Sequence, residues 1–352
     1  MLTKRGLAAL SNRGLRALGG ELVSNFEIAR LRDAWSRRGR GTDDPLPVPS
    51  LPDGALDYLR EDNPRLLELR RRYAEMKHDA TARSLWSAQH VTGIDLQRFR
   101  ADSAFVWQAR TDDLREVNYA LTFSHLRNTD RLGLLDRLDE DGLFGAVTFD
   151  IDGKRMSRDL LDVVAELSFL EETLEISERH GTVLDIGAGY GRLAYGLARA
   201  FPERLRVLCT DAVPEATFLS EYYLRFRGAD GVARAVALDE LEAALEKTPV
   251  FLASNVHSFS EIPLRAIRWW VALLSRHRVR YVMVVPNADA AGGIRLQSTE
   301  PDGEALDWGN VLDEHGYRLL MLRPKYVLPS VQRHGLSPTH YHLYEWCGSD
   351  HR

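Results

Sequence analysis

Cysteine is scarce in this chain of 352 residues, which contains only Cys209 and Cys347. Each of the two lies within an apparent β-strand, so a framework of disulfide bonds is not expected. The N-terminal residues also lack an uninterrupted apolar stretch of signal-peptide length. Together these absences favour a reducing compartment, and we expect a cytoplasmic protein.

Long apolar runs and long basic runs are also missing. No segment approaches the run of about 20 apolar residues that a membrane-spanning helix requires. The formal net charge is −5, and the 46 lysines and arginines are dispersed along the chain, whereas binding to a phosphate backbone needs clustered cations. We therefore expect neither a membrane span nor nucleic acid as the main partner. A homo-oligomer remains compatible with the sequence.

The pattern of leucine and proline divides the first part of the chain. Residues 1–41 have leucines at the spacing of an amphipathic helix, which predicts an N-terminal helical segment. Alternate prolines then predict an extended linker over 42–53. Residues 54–155 are predicted to form a mainly helical substrate-binding or lid region. Its predicted pieces are helices at 54–78, 80–91 and 111–137, a turn at 142–145 and a short hairpin at 149–153.

Residues 156–352 show the alternation of helices and short apolar strands that is typical of a doubly wound α/β sheet. Ser157 is placed to cap the first helix of this unit. The last two strands have no full helix between them, which predicts an antiparallel hairpin at the edge of the sheet. The seven predicted strands begin near residues 183, 206, 233, 250, 280, 317 and 340.

A glycine-rich turn follows the first of these strands. Asp185 lies near the strand end, and Gly187, Gly189 and Gly191 follow at alternate positions. Glycine lets the backbone approach a ligand closely, while the next helix presents its free N–H groups. A dinucleotide fingerprint would need a third glycine where the chain has Arg192. The spacing instead resembles motif I of class I methyltransferases that depend on S-adenosylmethionine (SAM).

An acidic residue, Asp211, ends the second strand about 20 residues beyond the glycines. An acid at this position hydrogen-bonds a ribose diol in nucleotide-binding sheets. We therefore expect a nucleotide-type cofactor site that includes Asp211 and the adjacent Ala212. The alternative is a βαβ unit whose glycines only make a tight turn, and SAM binding distinguishes the two.

Several longer strings carry a more specific signal than the glycine turn. They are DIGAGYGRLAY at 185–195, TFLSEYYLRFRG at 217–228, NVHSFSEIP at 255–263, VPN at 285–287 and YHLYE at 341–345. Together they resemble the sugar O-methyltransferase family, over roughly residues 110–346. The resemblance implies a Rossmann-like, seven-stranded methyltransferase sheet with SAM as the cofactor. It also implies a small-molecule sugar or glycoside as the methyl acceptor, and the sugar enters through this resemblance alone.

His257 is the candidate general base. A sugar hydroxyl is a weak acid, so methyl transfer to it needs a base or a metal ion. His257 lies just past the fourth strand, at the sheet edge where open α/β sheets bind ligands. An ordinary imidazole in this role would give a rate that rises through a pKa of about 6–7. The alternative role is a hydrogen bond that orients the loop.

Glu261 is a second catalytic candidate, through support of His257 or through metal binding. The pattern Ser258-x-x-Glu261 before an apolar helix, however, favours a structural capping box. Asn255 is a candidate contact for the cofactor or acceptor, although asparagine at a strand end is often only a turn former.

A divalent metal is left open by the sequence. His340 and His342 share one face of a strand, but no third ligand has a recognisable spacing. Alternation of side chains along an exposed strand is therefore the favoured explanation of these two histidines.

The remaining candidates surround the expected site. Asp185 is expected near the amino-acid moiety of the cofactor, and Arg192 either pairs with the cofactor carboxylate or is a solvated helix residue. Arg158 and Asp162 predict an i, i+4 ion pair, with a role in a substrate lid as the alternative. Consecutive aromatics on a helix point in different directions, so at least one of each pair is expected in the core. The candidate substrate-binding residues are Arg158, Tyr222, Tyr223, Trp270 and Asn287.

The sequence thus predicts a SAM-dependent O-methyltransferase that acts on a sugar or glycosylated metabolite. Two alternatives remain. One is a methyltransferase of a non-sugar natural product, and the other is a catalytically silent scaffold that binds SAM, or a partner through residues 1–40.

Overall fold

The computed structural model describes residues 50–87, 90–91, 93–101, 115–288 and 292–348. The predicted helical segment at 1–41 and most of the predicted linker at 42–53 lie outside these residues. Within the described part of the chain, no helix combines the length and the apolar character needed to cross a bilayer.

In the described residues, nine β-strands form two sheets. An antiparallel hairpin pairs β1 (Thr148–Ile151) with β2 (Lys154–Ser157), which confirms the predicted hairpin. The second sheet has seven strands in the order β5-β4-β3-β6-β7-β9-β8. Its strands are β3 (Gly181–Ile186), β4 (Leu205–Thr210), β5 (Ala233–Ala235), β6 (Val250–Val256), β7 (Tyr281–Val285), β8 (Tyr317–Pro324) and β9 (His340–Trp346).

The large sheet is the predicted doubly wound, Rossmann-like sheet. Strands β3 to β7 are parallel, and β9 is antiparallel to both β7 and β8. The antiparallel pair at the edge of the sheet is confirmed. Strand β3 lies between β4 and β6, so the strand order reverses there. Such a reversal opens a crevice beyond the carboxyl ends of the strands.

Helices cover the sheet and precede it in the chain. They are α1 (Ala55–Tyr58), α2 (Pro64–Glu75), α3 (Arg115–Thr129), α4 (Leu134–Arg137), α5 (Arg158–Leu174), α6 (Arg192–Ala200), α7 (Pro214–Phe226), α8 (Leu241–Lys247), α9 (Leu264–Arg276), α10 (Gly309–Glu314) and α11 (Pro329–His334). Short 3-10 turns occur at Asp79–Thr81, Leu143–Gly145, Ile176–Glu178, Leu238–Glu240 and Ser258–Glu261.

Local sequence accounts for where several helices begin. Ser157 Oγ accepts a hydrogen bond from Leu160 N at 3.1 Å, which confirms the predicted cap of α5. Asn63 caps α2 in the same way, and Pro64 occupies the first position of that helix. Because the residue before a proline is pushed out of the helical region, the helix predicted at 54–78 is divided into α1 and α2.

Two other helix predictions were partly wrong. The helix predicted at 111–137 is interrupted before α4, because Gly133 adopts a positive φ of 64°. The helix predicted at 80–91 is not present at residues 82–87, which run without helix after the 3-10 turn. That stretch contacts the candidate site instead.

Helix α2 is attached to the sheet unit through α7. Arg65 forms an ion pair with Glu221, with 2.6 Å between Nη2 and Oε1. The buried hydroxyl of Tyr73 lies 2.9 Å from Thr217 Oγ1 and accepts a hydrogen bond from Leu238 N at 2.8 Å. These contacts place the residues that follow α2 beside the carboxyl ends of the strands.

Candidate active site

A cleft opens at the carboxyl ends of β3, β4 and β6. Three segments complete its walls: the glycine turn after β3, the turn after β6, and residues 82–86 from the N-terminal part of the chain. The predicted site residues that line this cleft are Arg158, Asp185, Gly187, Gly189, Arg192, Asp211, Ala212, His257, Glu261 and Trp270.

The glycine turn needs glycine for two separate reasons. Gly187, Gly189 and Gly191 all have positive φ, at 67°, 57° and 88°, a region that other residues rarely adopt. A Cβ atom on Gly187 would also lie only 2.0 Å from Ser258 Oγ. Gly191 itself does not line the cleft, but it is the residue from which α6 begins.

Two carboxylates lie at neighbouring strand ends. Asp185 is 3% exposed and accepts a hydrogen bond from Ser254 Oγ at 3.1 Å. Asp211 accepts from Gly189 N and Val213 N, both at 2.9 Å, and so holds the glycine turn in place. Burial raises the pKa of Asp185 to about 7 and that of Asp211 to about 6, although these hydrogen bonds oppose the shift.

Arginines from α5 and α6 line the floor of the cleft. Arg192 is bound through two hydrogen bonds, of 2.9 and 2.7 Å, to the buried carboxylate of Glu166, so it is not a solvated residue. Arg158 Nε donates to Asp162 at 3.1 Å, which confirms the predicted ion pair. Asp162 also binds Lys325 Nζ at 2.5 Å.

Lys325 was missed by sequence reasoning. It follows β8, 163 positions after Asp162, and no spacing rule connects the two. Its ammonium is buried and also donates to Leu336 O at 3.3 Å.

His257 projects from the turn after β6, where its φ is 69°. Its backbone N–H donates to Val285 O at 2.7 Å. Its Nδ1 atom is buried and has no hydrogen-bond partner among the described residues. Burial and, to a smaller extent, the charge of Arg158 lower the pKa of the imidazole to about 3. The expected rise in rate through an imidazole pKa of about 6–7 is therefore wrong for His257.

Glu261 does not form the predicted capping box. Its Oε2 accepts from Trp86 Nε1 at 2.7 Å, and its Oε1 accepts from Asn287 Nδ2 at 2.9 Å. No side chain caps the 3-10 turn that Glu261 ends, and Ser258 Oγ accepts from Asn255 instead. Burial raises the pKa of Glu261, while its two hydrogen bonds lower it.

Asn255 lies beneath the glycine turn and does not line the cleft. Its Nδ2 donates to Ile186 O at 3.0 Å and to Ser258 Oγ at 2.7 Å, and its Oδ1 accepts from Phe259 N at 2.9 Å. The buried amide thus joins the ends of β3 and β6. Its predicted contact with cofactor or acceptor is replaced by these contacts within the protein.

The two candidate tyrosines lie in the core. Tyr222 is 8% exposed, and its ring stacks on Tyr58 with 5.2 Å between centroids. Tyr223 is 3% exposed and meets Tyr190 edge to face at 5.1 Å. Neither lines the cleft, whereas the buried Trp270 does. Among the consecutive aromatic pairs, only Trp270 is thus brought to the site.

The histidines of β9 hydrogen-bond to the backbone. His340 Nδ1 donates to Gly292 O at 2.7 Å, and His342 Nε2 donates to Gly293 O at 3.0 Å. Because β9 lies between β7 and β8, and His342 is buried, the expected exposed strand is wrong. In the described ranges, no group of three or more His, Cys, Asp or Glu is placed to hold a metal ion.

Comparison with known proteins adds no family. No family model matches the chain, and neither does any curated protein. Among solved structures, the magnesium protoporphyrin IX methyltransferase of Synechocystis PCC 6803, solved with bound SAM, is 13% identical. That match covers 66% of this chain and 97% of the other, with a TM-score of 0.38. The mitomycin 7-O-methyltransferase MmcR is 17% identical, over 53% of this chain and 56% of its own, with a TM-score of 0.35. Such likeness concerns the fold alone.

Proposed function

We propose that the chain is a SAM-dependent O-methyltransferase whose acceptor is a hydroxyl of a sugar or glycosylated metabolite. One observation supports SAM as the cofactor. Two buried carboxylates, those of Asp185 and Asp211, line one cleft at adjacent strand ends. The hydrogen bonds that they receive from described residues come from neutral groups, a hydroxyl and two backbone amides. Buried carboxylates of this kind gain stability from a cationic or hydroxylated ligand.

The groups of SAM suit the residues present. Asp185 would accept hydrogen bonds from its ammonium group, and Asp211 from its ribose diol. Gly187 and Gly189 line the cleft, where glycine lets a ligand approach the backbone closely. Once bound there, SAM supplies a methyl group on a sulfonium centre.

His257 is placed to receive the acceptor proton. With a pKa of about 3, the imidazole is neutral at physiological pH and keeps a lone pair available. A group with this pKa is a weak base for a free sugar hydroxyl. The hydroxyl becomes strongly acidic, however, as its oxygen forms the new carbon bond, so a weak base at this position is sufficient.

The class of acceptor rests on the sequence resemblance, and the alternatives are separated by product analysis. We expect methyl-labelled SAM to transfer label to a glycoside, with mass spectrometry placing the label on the sugar ring. The matched control is the same aglycone without its sugar. Label on the aglycone would support a natural-product methyltransferase. SAM binding without transfer to any acceptor would support the silent scaffold.

Replacement of Asp211 tests the cofactor site. We expect Asp211→Ala to weaken SAM binding by about 1–3 kcal/mol, because buried hydrogen-bond partners are left unmet. The effect should lie at the upper end, since Asp211 also holds Gly189 and Val213. Calorimetric titration measures the affinity, and Asp150→Ala, on the exposed hairpin, is the control. Unchanged affinity in a folded Asp211→Ala protein would contradict the assignment.

SAM affinity should also depend on pH. Asp185 and Asp211 bind the ligand as carboxylates, so we expect the affinity to fall as pH decreases through about 7 and then about 6. Each carboxylate that must ionise reduces affinity about tenfold per pH unit below its pKa. Calorimetric titrations from pH 5 to 8 would measure this, and a flat profile would contradict it.

The Asp185 and Asp211 carboxyl groups do not themselves lower the stability of the unliganded protein at acid pH. The folded pKa values of both carboxyl groups lie above the usual value for aspartate, so the folded state binds more protons between pH 4 and 7. Their contribution to the free energy of unfolding is therefore present at low pH and lost as pH rises through 6 and 7. These two groups should weaken SAM binding on acidification without destabilising the unliganded protein.

A further inference from the structure

One wall of the cleft is built by residues 82–87, which we call the strap. The strap is attached to the sheet unit on two sides. Arg83 Nη2 donates to Ala212 O at 3.4 Å, next to the end of β4. Leu85 N donates to Glu261 O at 3.3 Å, in the turn after β6. A segment from the N-terminal part of the chain thus lies against both sides of the cleft.

Trp86 is the aromatic residue that the strap contributes to the cleft lining. Its indole N–H donates to Glu261 Oε2 at 2.7 Å, and Asn287 donates to the other oxygen of that carboxylate at 2.9 Å. The carboxylate therefore joins the strap to the end of β7. Trp86 lines the cleft, and its ring meets that of His90 edge to face, with 5.3 Å between centroids.

The strap lies on the ribose side of the proposed cofactor site. Asp211 is adjacent in sequence to Ala212, to which Arg83 is bonded. The charges of Arg83 and Glu261 also both act on the Asp211 carboxyl group, in opposite directions. With the ribose diol at Asp211, the attached base would start beside the strap, which is bonded to Ala212 and lines the same cleft.

We propose that Trp86 is a binding residue for the purine ring of the cofactor, and that Glu261 and Asn287 are positioning residues that hold it. The inference rests on the proposed function, because the ribose at Asp211 fixes the side on which the purine lies. Stacking of a base on an aromatic side chain contributes about 1–3 kcal/mol in nucleic-acid binding sites. It would also give part of the N-terminal region a direct role in the site.

Adenosine is the probe that isolates this contact, because it has the purine and ribose of SAM without the methionine moiety. We expect Trp86→Ala to weaken adenosine and SAM by the same factor, about 5–150-fold, the equivalent of one stacked base. Trp86→Phe should keep most of the affinity, since it retains an aromatic face. Leu85→Ala is the matched control, because this neighbouring side chain is 52% exposed and does not line the cleft.

The adenosine titration separates the possible failures. If Trp86→Ala weakens SAM and leaves adenosine unchanged, Trp86 contacts another part of the cofactor and the inference is overturned. Unchanged affinity for both ligands overturns it too, while the proposed function stands on the wild-type affinity. If the wild-type protein binds neither ligand, both proposals fail together.

The role of Glu261 and Asn287 can be tested by exchanging hydrogen-bonding groups. Asn287→Asp would set two carboxylates about 2.9 Å apart, and we expect it to weaken adenosine binding at least about fivefold. Glu261→Gln in that background should restore the affinity, because the new amide can donate to the new carboxylate while its oxygen still accepts from Trp86.

The kinetic constants distinguish weaker cofactor binding from general unfolding, which would lower kcat as well. We expect Asn287→Asp to raise the KM for SAM with kcat at saturating SAM nearly unchanged, and the double variant to lower that KM again. A double variant that binds adenosine no better than Asn287→Asp, although folded, would contradict the positioning role.

Discussion

His257→Ala is expected to lower kcat by about 10²–10⁴-fold, the usual contribution of a positioned general base. SAM affinity should stay nearly intact, because the imidazole acts on the acceptor and not on the cofactor. Single-turnover rates with saturating SAM, together with calorimetric SAM titration, measure the two quantities separately.

Two controls accompany this result. His257→Asn tests the backbone, since asparagine tolerates positive φ better than most residues and the φ of His257 is 69°. If the imidazole matters, His257→Asn should lose as much activity as His257→Ala. His180→Ala changes an exposed histidine just before the opposite end of β3 and should leave kcat unchanged. Near-normal turnover by His257→Ala would remove His257 from catalysis.

The pH dependence distinguishes His257 from the cofactor carboxylates. With a pKa of about 3, His257 causes no change in the pH–rate profile between pH 5 and 8. A limb near pH 6–7 in kcat/KM should come from Asp185 and Asp211, so it should persist in His257→Ala. A metal-activated acceptor would behave differently, because a chelator would abolish activity in both the wild type and the variant.

Gly187→Ala is expected to destabilise the protein by about 2–6 kcal/mol and to abolish measurable SAM binding. About 1–3 kcal/mol comes from forcing a non-glycine residue to positive φ, which is 67° here. A further 1–3 kcal/mol or so comes from overpacking, since the new Cβ would lie 2.0 Å from Ser258 Oγ. Denaturant unfolding and calorimetric SAM titration measure the two effects.

Two further variants separate the causes. Gly153→Ala, in the turn of the β1–β2 hairpin, has a φ of 75° and no atom within 4 Å of the added Cβ. It should therefore show the backbone cost alone and keep SAM binding. Ser258→Gly combined with Gly187→Ala should recover part of the stability by removing the clash. A folded Gly187→Ala protein that binds SAM normally would contradict the close approach of the two turns.

The part of the cleft around the glycine turn could be predicted, because the sequence patterns that indicate it are local. A strand, a glycine turn, a helix start and an acidic strand end are contiguous in the chain, and each is determined by the backbone preferences of its own residues. Asp185 and Asp211 accordingly lie at adjacent strand ends. The alternation of apolar strands and helices likewise predicted a doubly wound sheet, and the structure has one.

The surroundings of His257 and Glu261 could not be predicted in the same way, because they depend on contacts with residues that are far away in the sequence. The spacing of Glu261 from Ser258 matched a capping box, but its carboxylate binds Trp86, which lies 175 residues earlier. The pKa of His257 depends on burial and on charges from α5 and from Lys325. Neither burial nor these neighbours can be read from residues next to the histidine.

The bond between Lys325 and Asp162 makes the cleft dependent on a part of the chain that is synthesised well after the glycine turn. When residues up to about 316 have left the ribosome, the glycine turn, Asp185 and Asp211 have already been synthesised. Strand β7 is then still an edge strand without its partner β9, and Asp162 has not yet met Lys325. An exposed edge of this kind is open to pairing with other chains. Residues 325–346 therefore both complete the surroundings of Asp162 and cover the edge of β7.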